Sequence, residues 1–300
     1  MTTYKEFHQY SIDKPNEFWT EQAKLIDWKE PFIQVCDFSR PPFAKWFVGG
    51  KTNLCYNAID RHAAKRPNDN ALIYISTETN EEKVYSFAEL QREVERMAAI
   101  YQSLGVKKGD RVLIYMPMIA QAAFAIFAAT RIGAIHSVVF GGFASGSLAT
   151  RIDDAKPTLI VSSDAGMRGG KAVPYKHLLD EAIELAEHKP AKVLMIDRGL
   201  DQAYSKIEGR DADYATLREQ FMDAKVDCVW LESSEPSYIL YTSGTTGKPK
   251  GVQRDTGGYA VALASSMKHI YCGGEGETYF STSDIGWVVG HSYIIYGPLI

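Results

Sequence analysis

The chain has 300 residues, 45% hydrophobic and 23% charged, with a formal net charge of -4. That composition describes an ordinary globular protein of one large or two smaller domains. The mildly acidic balance argues against nucleic acid or an anionic membrane surface as the main partner. Cys36, Cys55, Cys228 and Cys272 lie far apart, and no pair has CxxC spacing. A zinc ribbon or a redox pair is therefore not expected; reduced, mostly buried thiols in a cytoplasmic protein are. The seven histidines do not cluster with Cys or carboxylates at metal-ligand spacing, so no metal site is expected. No basic stretch followed by an apolar run opens the chain, so no signal peptide is expected.

Residues 1–61 are rich in aromatics and broken by Pro15, Pro31, Pro41 and Pro42, with weak periodicity. They predict a segment that packs across the surface of a larger domain and is not stable alone. From about residue 70 a pattern sets in. ALIYIS (71–76) and VYS (84–86) predict two strands around a polar turn. Ser86 and Glu89 form a capping-box pattern, and Phe87, Leu90, Val94, Met97, Tyr101 and Leu104 mark one face of the helix that follows. Gly105 stands where a C-terminal cap belongs. RVLIYM (111–116) predicts a buried strand. The apolar run 116–132 is interrupted by Pro117, Gln121 and Arg131, so it predicts a buried helix rather than a membrane span. Strands follow at 134–140, 158–163, 192–197 and 237–244, and helices at 145–155, 176–187 and 258–271. Such alternation, with continuously apolar strands, predicts an α/β fold whose parallel or mixed sheet is covered on both faces.

The strand at 237–244 runs into YTSGTTGKPKG (241–251), with three Gly, two Lys, four Ser or Thr hydroxyls and no acidic residue. Glycines let backbone N–H groups converge on one anion, and the hydroxyls and lysines add donors and charge. The loop is not a Walker A sequence. The residue five before Gly247 is Thr242, and Pro249 follows Lys248.

This string resembles the phosphate-binding signature of the adenylate-forming enzymes. EFW (17–19) and KWFVGGKTNLCYNAIDRH (45–62) resemble the N-terminal region of their acetyl- and propionyl-CoA synthetase branch. SDAGMRGGKAVPYK (163–176) resembles the CoA-nucleotide segment of that branch, and STSDIGWVVGHSYIIYGPL (281–299) its acyl-pocket segment. GVQRDTGGY (251–259) with 284–299 resembles the propionate–CoA ligases most. The resemblance implies the large N-terminal α/β domain of that family, with parallel or mixed sheets flanked by helices. It further implies ATP with Mg2+, CoA and propionate as small-molecule substrates, and no tightly bound cofactor. Thr242, Ser243, Gly244, Thr245, Thr246, Gly247, Lys248, Lys250 and Gly251 are implied at the ATP phosphates, although Lys248 also reads as a solvated loop charge. Arg168, Gly169, Gly170 and Lys171 are implied at the nucleotide end of CoA. Lys171 stands where the family often has Arg, so the charge is kept and the bidentate fork is lost. By itself this cation pair also reads as an exposed basic loop.

Trp287, Val288 and Val289 are implied in the acyl pocket, with Val289 also near CoA. Acetyl-CoA synthetases tend to carry Thr where Val289 stands. Core packing is the alternative for all three. His291 could serve as a base, but no carboxylate near it in sequence would orient it, which favours a structural histidine. No catalytic residue is assigned within the chain. The family's adenine, ribose and Mg2+-linked motifs and its C-terminal Lys do not occur here. The resemblance thus implies the N-terminal part of a longer enzyme: 1–61 as the wrap, 62–300 as an incomplete adenylation domain, and no small C-terminal domain. Little ligase activity is expected of the isolated chain. An acetate ligase, a transfer to another acceptor, and a non-catalytic nucleotide- or CoA-binding product are the competing readings.

Overall fold

The computed structural model describes residues 3–242 and 249–300. The N-terminal region is more regular than its sequence predicts. Helices α1 (Tyr4–Asp13) and α2 (Pro15–Gln22) open it, and strands β1 (Gln34–Arg40) and β2 (Phe43–Val48) pair antiparallel. Thr3 and Glu6 cap α1 reciprocally, and Pro15 occupies the first turn of α2. These elements are short, and α1 buries no residue. Edge-to-face aromatic contacts hold them instead: Phe7–Phe18 at 5.0 Å, Phe18–Trp19 at 5.1 Å and Trp19–Trp46 at 5.8 Å. Contacts of this kind leave no periodic signature in sequence.

The alternation expected after residue 70 is present. β3 (Asn70–Ser76) and β4 (Glu81–Ser86) form a hairpin. Ser86 and Glu89 cap α3 (Phe87–Ser103), and Gly105 follows its end at φ +93°. Then come β5 (Arg111–Tyr115), the buried α4 (Ala120–Arg131), β6 (Ile135–Val138), α5 (Ser145–Ala155) and β7 (Leu159–Ser163). A small hairpin, β8 (Gly166–Arg168) and β9 (Lys171–Val173), precedes α6 (Tyr175–Leu185) and β10 (Lys192–Ile196). The chain continues through β11 (Asp211–Asp213), α7 (Tyr214–Gln220), β12 (Pro236–Thr242), β13 (Lys250–Asp255) and α8 (Gly257–His269). No helix among the described residues is long and apolar enough to cross a membrane.

Seven strands form one sheet in the order β11-β10-β7-β5-β6-β12-β13. All neighbours are parallel except the β12–β13 pair. Side-chain alternation sends Val112 and Ile114 of β5 into one core, with α3, α4 and α8. It sends Leu113 and Tyr115 into the other, with α5 and α6. Burial on both faces is why these strands read as unbroken apolar runs. After β6 the chain crosses back to place β7 on the other side of β5, so the order reverses there. In open α/β sheets, ligands bind beyond the carboxyl ends of strands at such a reversal.

Acid should destabilise this domain over two successive pH ranges. Burial first, then Arg61 and Arg66, lower His62 to about 4, and burial lowers His291 to about 4. The unfolded chain takes up these protons first, so this stability is full above the ordinary histidine value of 6.5 and is lost down to about 4. Burial pushes the Glu93 carboxyl up, but Arg218 and Arg96 outweigh it and hold it below its usual value. Asp211 is likewise raised by burial and lowered further by Arg210, the Ile207 N–H and Lys176. Those contributions persist to lower pH and vanish as pH falls through the depressed values. Urea midpoints should fall between about pH 7 and about pH 3, with Asp255 and Asp284, raised by burial, opposing part of that fall. A flat or rising profile would contradict this assignment.

Candidate active site

The predicted site segments gather at the carboxyl ends of the parallel strands. β12 delivers Thr242, and β13 begins at Lys250. Thr242 pairs with Lys250, and Tyr241 with Gly251, so the two ends of the phosphate loop are held together. Ser243, Gly244, Thr245, Thr246, Gly247 and Lys248 lie outside the described residues. Thr242, Lys250 and Gly251 are exposed, and Lys250 makes no ion pair among the described residues. The neck of the loop is fixed on α5. The Tyr241 hydroxyl donates to Asp154 at 2.6 Å, and the Arg151 guanidinium lies 5.5 Å from the Tyr241 ring and 4.3 Å from that of Phe143.

The MRGGK segment is a hairpin that sequence reasoning left as a loop. Gly169 and Gly170 have φ of +57° and +76°, as a two-residue turn with both central residues left-handed requires. The turn sets Arg168 directly opposite Lys171. Both are exposed and neither makes an ion pair among the described residues. Like charges placed opposite each other repel, and the Asp284 carboxylate near Arg168 offsets part of that repulsion. Glu78, in the turn between β3 and β4, roots the hairpin. Its carboxylate accepts from the Met167 N–H at 3.2 Å and from Arg198 Nη2 at 2.6 Å.

Core packing does not describe Trp287, Val288 and Val289, which are 47%, 50% and 51% exposed. The backbone beneath them is closely fixed. Trp287 N–H donates to Asp284 O at 3.0 Å. A Cβ on Gly286 would stand 2.7 Å from Phe140 Cα, and one on Gly290 would overlap the Asp284 carbonyl. The Trp287 ring lies 5.6 Å from Phe140 and 6.3 Å from Phe143. His291 is fully buried. Its burial and neutrality fit the structural role rather than an exposed base.

Phe140 is the residue the sequence did not reveal. It carries Trp287 on one side and lies 5.7 Å from the Arg168 guanidinium on the other. The hairpin of Arg168 and the segment of Trp287 therefore meet on one ring just beyond β6. Phe143, three residues on, reaches the neck of the phosphate loop through Arg151. The glycines between the two phenylalanines leave room for neighbours: a Cβ on Gly141 would overlap the Tyr175 hydroxyl, and one on Gly142 would meet Arg168 Nη1 at 2.5 Å. The FGGF run directly after an apolar strand was the available signal.

The thiols are less buried than their sequence suggests. Cys55 is buried, Cys36 and Cys228 are half-buried, and Cys272 is exposed. Cys272 follows the end of α8 at φ +54°, in an open turn. The fold also brings Cys55, Asp60 and Cys228 to within 4.8 Å of one another, a group that spacing alone cannot show. The Arg131 guanidinium already serves them, with both Asp60 oxygens at 2.8 Å and Cys55 Sγ at 3.4 Å. A metal ion there would face that fixed positive charge.

Comparison with known proteins agrees with this geometry. Residues 59–300 match the family described as AMP-binding enzyme, and residues 4–58 match the acetyl-coenzyme A synthetase N-terminus. The chain belongs to the AMP-binding enzyme family. Among curated relatives it is 61% identical over 298 residues to the propionate–CoA ligases of Salmonella typhimurium and Escherichia coli. It is 45% identical over 300 residues to acetyl-coenzyme A synthetase 2 of Pseudomonas putida. These alignments cover 99% of this chain but 47%, 47% and 46% of the relatives, so the chain spans about half their length. The solved structure of acetoacetyl-CoA synthetase from Streptomyces lividans superposes with a TM-score of 0.90 at 28% identity, covering all of this chain and 45% of that one.

Proposed function

We propose that this chain supplies the phosphate loop, the CoA hairpin and the acyl-pocket segment of an AMP-forming short-chain acyl-CoA synthetase acting on propionate. The observation that carries the reading is the meeting of Arg168 and Trp287 on Phe140, beside the neck of the phosphate loop. A site that joins an acyl group to CoA needs those segments adjacent. In the first half-reaction the propionate carboxylate attacks the α-phosphorus of ATP, and pyrophosphate leaves with the bond electrons. Thr242, Lys250, Gly251 and the intervening loop residues neutralise the leaving group, with Mg2+ arriving on the nucleotide. In the second, the CoA thiol attacks the acyl carbon, loses its proton, and AMP departs. Arg168 and Lys171 hold the CoA phosphates, and the two glycines let the backbone approach.

Trp287, Val288 and Val289 form an apolar wall for the propionyl chain, and Val289 lacks the hydroxyl that a Thr would bring. Identity to two propionate–CoA ligases supports propionate over acetate. Residues 1–61 are read as the packing segment and 62–300 as the first part of the adenylation domain. The substrates are small soluble molecules, which fits a cytoplasmic enzyme without nucleic-acid or membrane partners.

The test is carboxylate-dependent exchange of pyrophosphate into ATP by the protein at its full natural length. Propionate should support faster exchange than acetate. Lys250→Ala should lower kcat/KM for ATP by about 10²–10³-fold. Faster exchange with acetate would shift the assignment to an acetate ligase. Nucleotide and CoA binding without any exchange would favour a binding module.

A further inference from the structure

We infer that His136, on a strand beneath the site and remote from any substrate, sets the acyl-chain selectivity by holding His291 in the tautomer that fixes the Trp287–Val289 wall. The inference rests on the reading of that wall as the acyl pocket.

The argument begins with donors and acceptors. His291 Nδ1 lies 3.2 Å from the Ile285 carbonyl, and a carbonyl oxygen only accepts. Nδ1 therefore carries the proton. A neutral imidazole has one N–H, so His291 Nε2 is an acceptor. Its partner is His136 Nε2, at 3.0 Å. For that bond to form His136 Nε2 must carry a proton, and the Tyr296 hydroxyl oxygen stands 3.3 Å from the same nitrogen. Both rings are fully buried, and burial foremost keeps them neutral. The chain of bonds thus runs one way, from His136 through His291 to the Ile285 carbonyl.

This arrangement has a cost and a consequence. The remaining nitrogen, His136 Nδ1, is buried and makes no hydrogen bond of ordinary geometry among the described residues, and the Ser237 backbone is the one further group that favours a proton on this ring. A buried unpaired polar atom is rare and calls for a reason. The reason lies two residues beyond Ile285. Ile285 begins the tight turn in which Gly286 rests on the Phe140 backbone and Gly290 on Asp284. β6 and the residues just after it therefore grip the turn twice, through the His136 relay and directly through Phe140. The first grip fixes Ile285, and the second fixes the Trp287 ring. Without the first, the two valines lose their fixed offset from the aromatic ring. A wall that can shift no longer measures chain length.

The experiment uses the full-length protein and compares KM for acetate, propionate and butyrate with KM for ATP. His136→Ala should raise KM for propionate about tenfold or more and flatten the preference among the three acids, with KM for ATP within about twofold of the parent. His136→Gln, whose amide can donate to His291 Nε2, should restore most of the preference. Equal changes in every KM, or an unchanged preference, would overturn the inference. If His136→Ala does not fold, selective 15N-histidine NMR of the parent decides: His291 protonated at Nε2 rather than Nδ1 would refute the relay. Val289→Thr separates the two levels. If it too leaves the preference unchanged, the acyl-pocket reading has failed; if only His136→Ala does, the relay alone has.

Discussion

Arg131→Ala is expected to cost about 3–5 kcal/mol of stability, the largest effect of any single truncation proposed for this chain. The Arg131 side chain is only 2% exposed, yet it carries a full charge. It ends α4, where a cation complements the helix dipole. Its guanidinium spans both oxygens of Asp60, reaches Glu95 at 3.2 Å, and donates from Nε to the Val226 carbonyl. One side chain thereby ties the end of the N-terminal region, α3, α4 and the segment before β12. Removing it leaves the half-buried Asp60 and the buried Glu95 carboxylates, of which only Glu95 keeps a cation among the described residues, Lys225 at 2.9 Å. Urea unfolding followed by far-UV circular dichroism measures the loss. A change under about 1 kcal/mol would mean the cluster is hydrated and worth no more than a surface pair.

Gly290→Ala is expected to lower carboxylate-dependent exchange by about 100-fold, well beyond its effect on folding. The added methyl would overlap the Asp284 carbonyl and crowd the Ile285 nitrogen, both backbone atoms that cannot swing aside. The turn must open, and Trp287, Val288 and Val289 move with it. Overpacking of this kind costs about 1–3 kcal/mol, which leaves most molecules folded. Gly146→Ala is the control, because nothing lies within 4 Å of its Cβ position. Retention of parental exchange by Gly290→Ala at matched folding would show that the turn does not place the acyl group.

Much of the fold was legible because its signals are local. The Ser86–Glu89 cap and the apolar face of α3 specify a helix without reference to the rest of the chain. The two-sided burial of β5 and β7 writes itself as a continuous apolar run. The N-terminal helices and ribbon were not legible, since Phe18, Trp19 and Trp46 meet edge to face across separate elements. The phosphate and CoA segments announced themselves as Gly-rich basic strings. Phe140, Phe143 and Arg151 did not, because their role arises where strand ends converge. The His136–His291 pair lay hidden for the same reason. Neither residue has a telling neighbour in sequence, and only the approach of the segment 284–291 to β6 joins them.

The facing cations of the small hairpin carry a consequence for ionic strength. Arg168 and Lys171 oppose each other across a turn, and neither makes an ion pair among the described residues, although the Asp284 carboxylate lies close enough to feel the Arg168 charge. Dissolved salt screens their repulsion and so relaxes the empty hairpin. The same salt weakens their pull on any phosphate seated between them. Under the proposed role at the CoA phosphates, salt would therefore act with opposite sign on the two states, easing the empty strand pair while weakening its attraction for the anion.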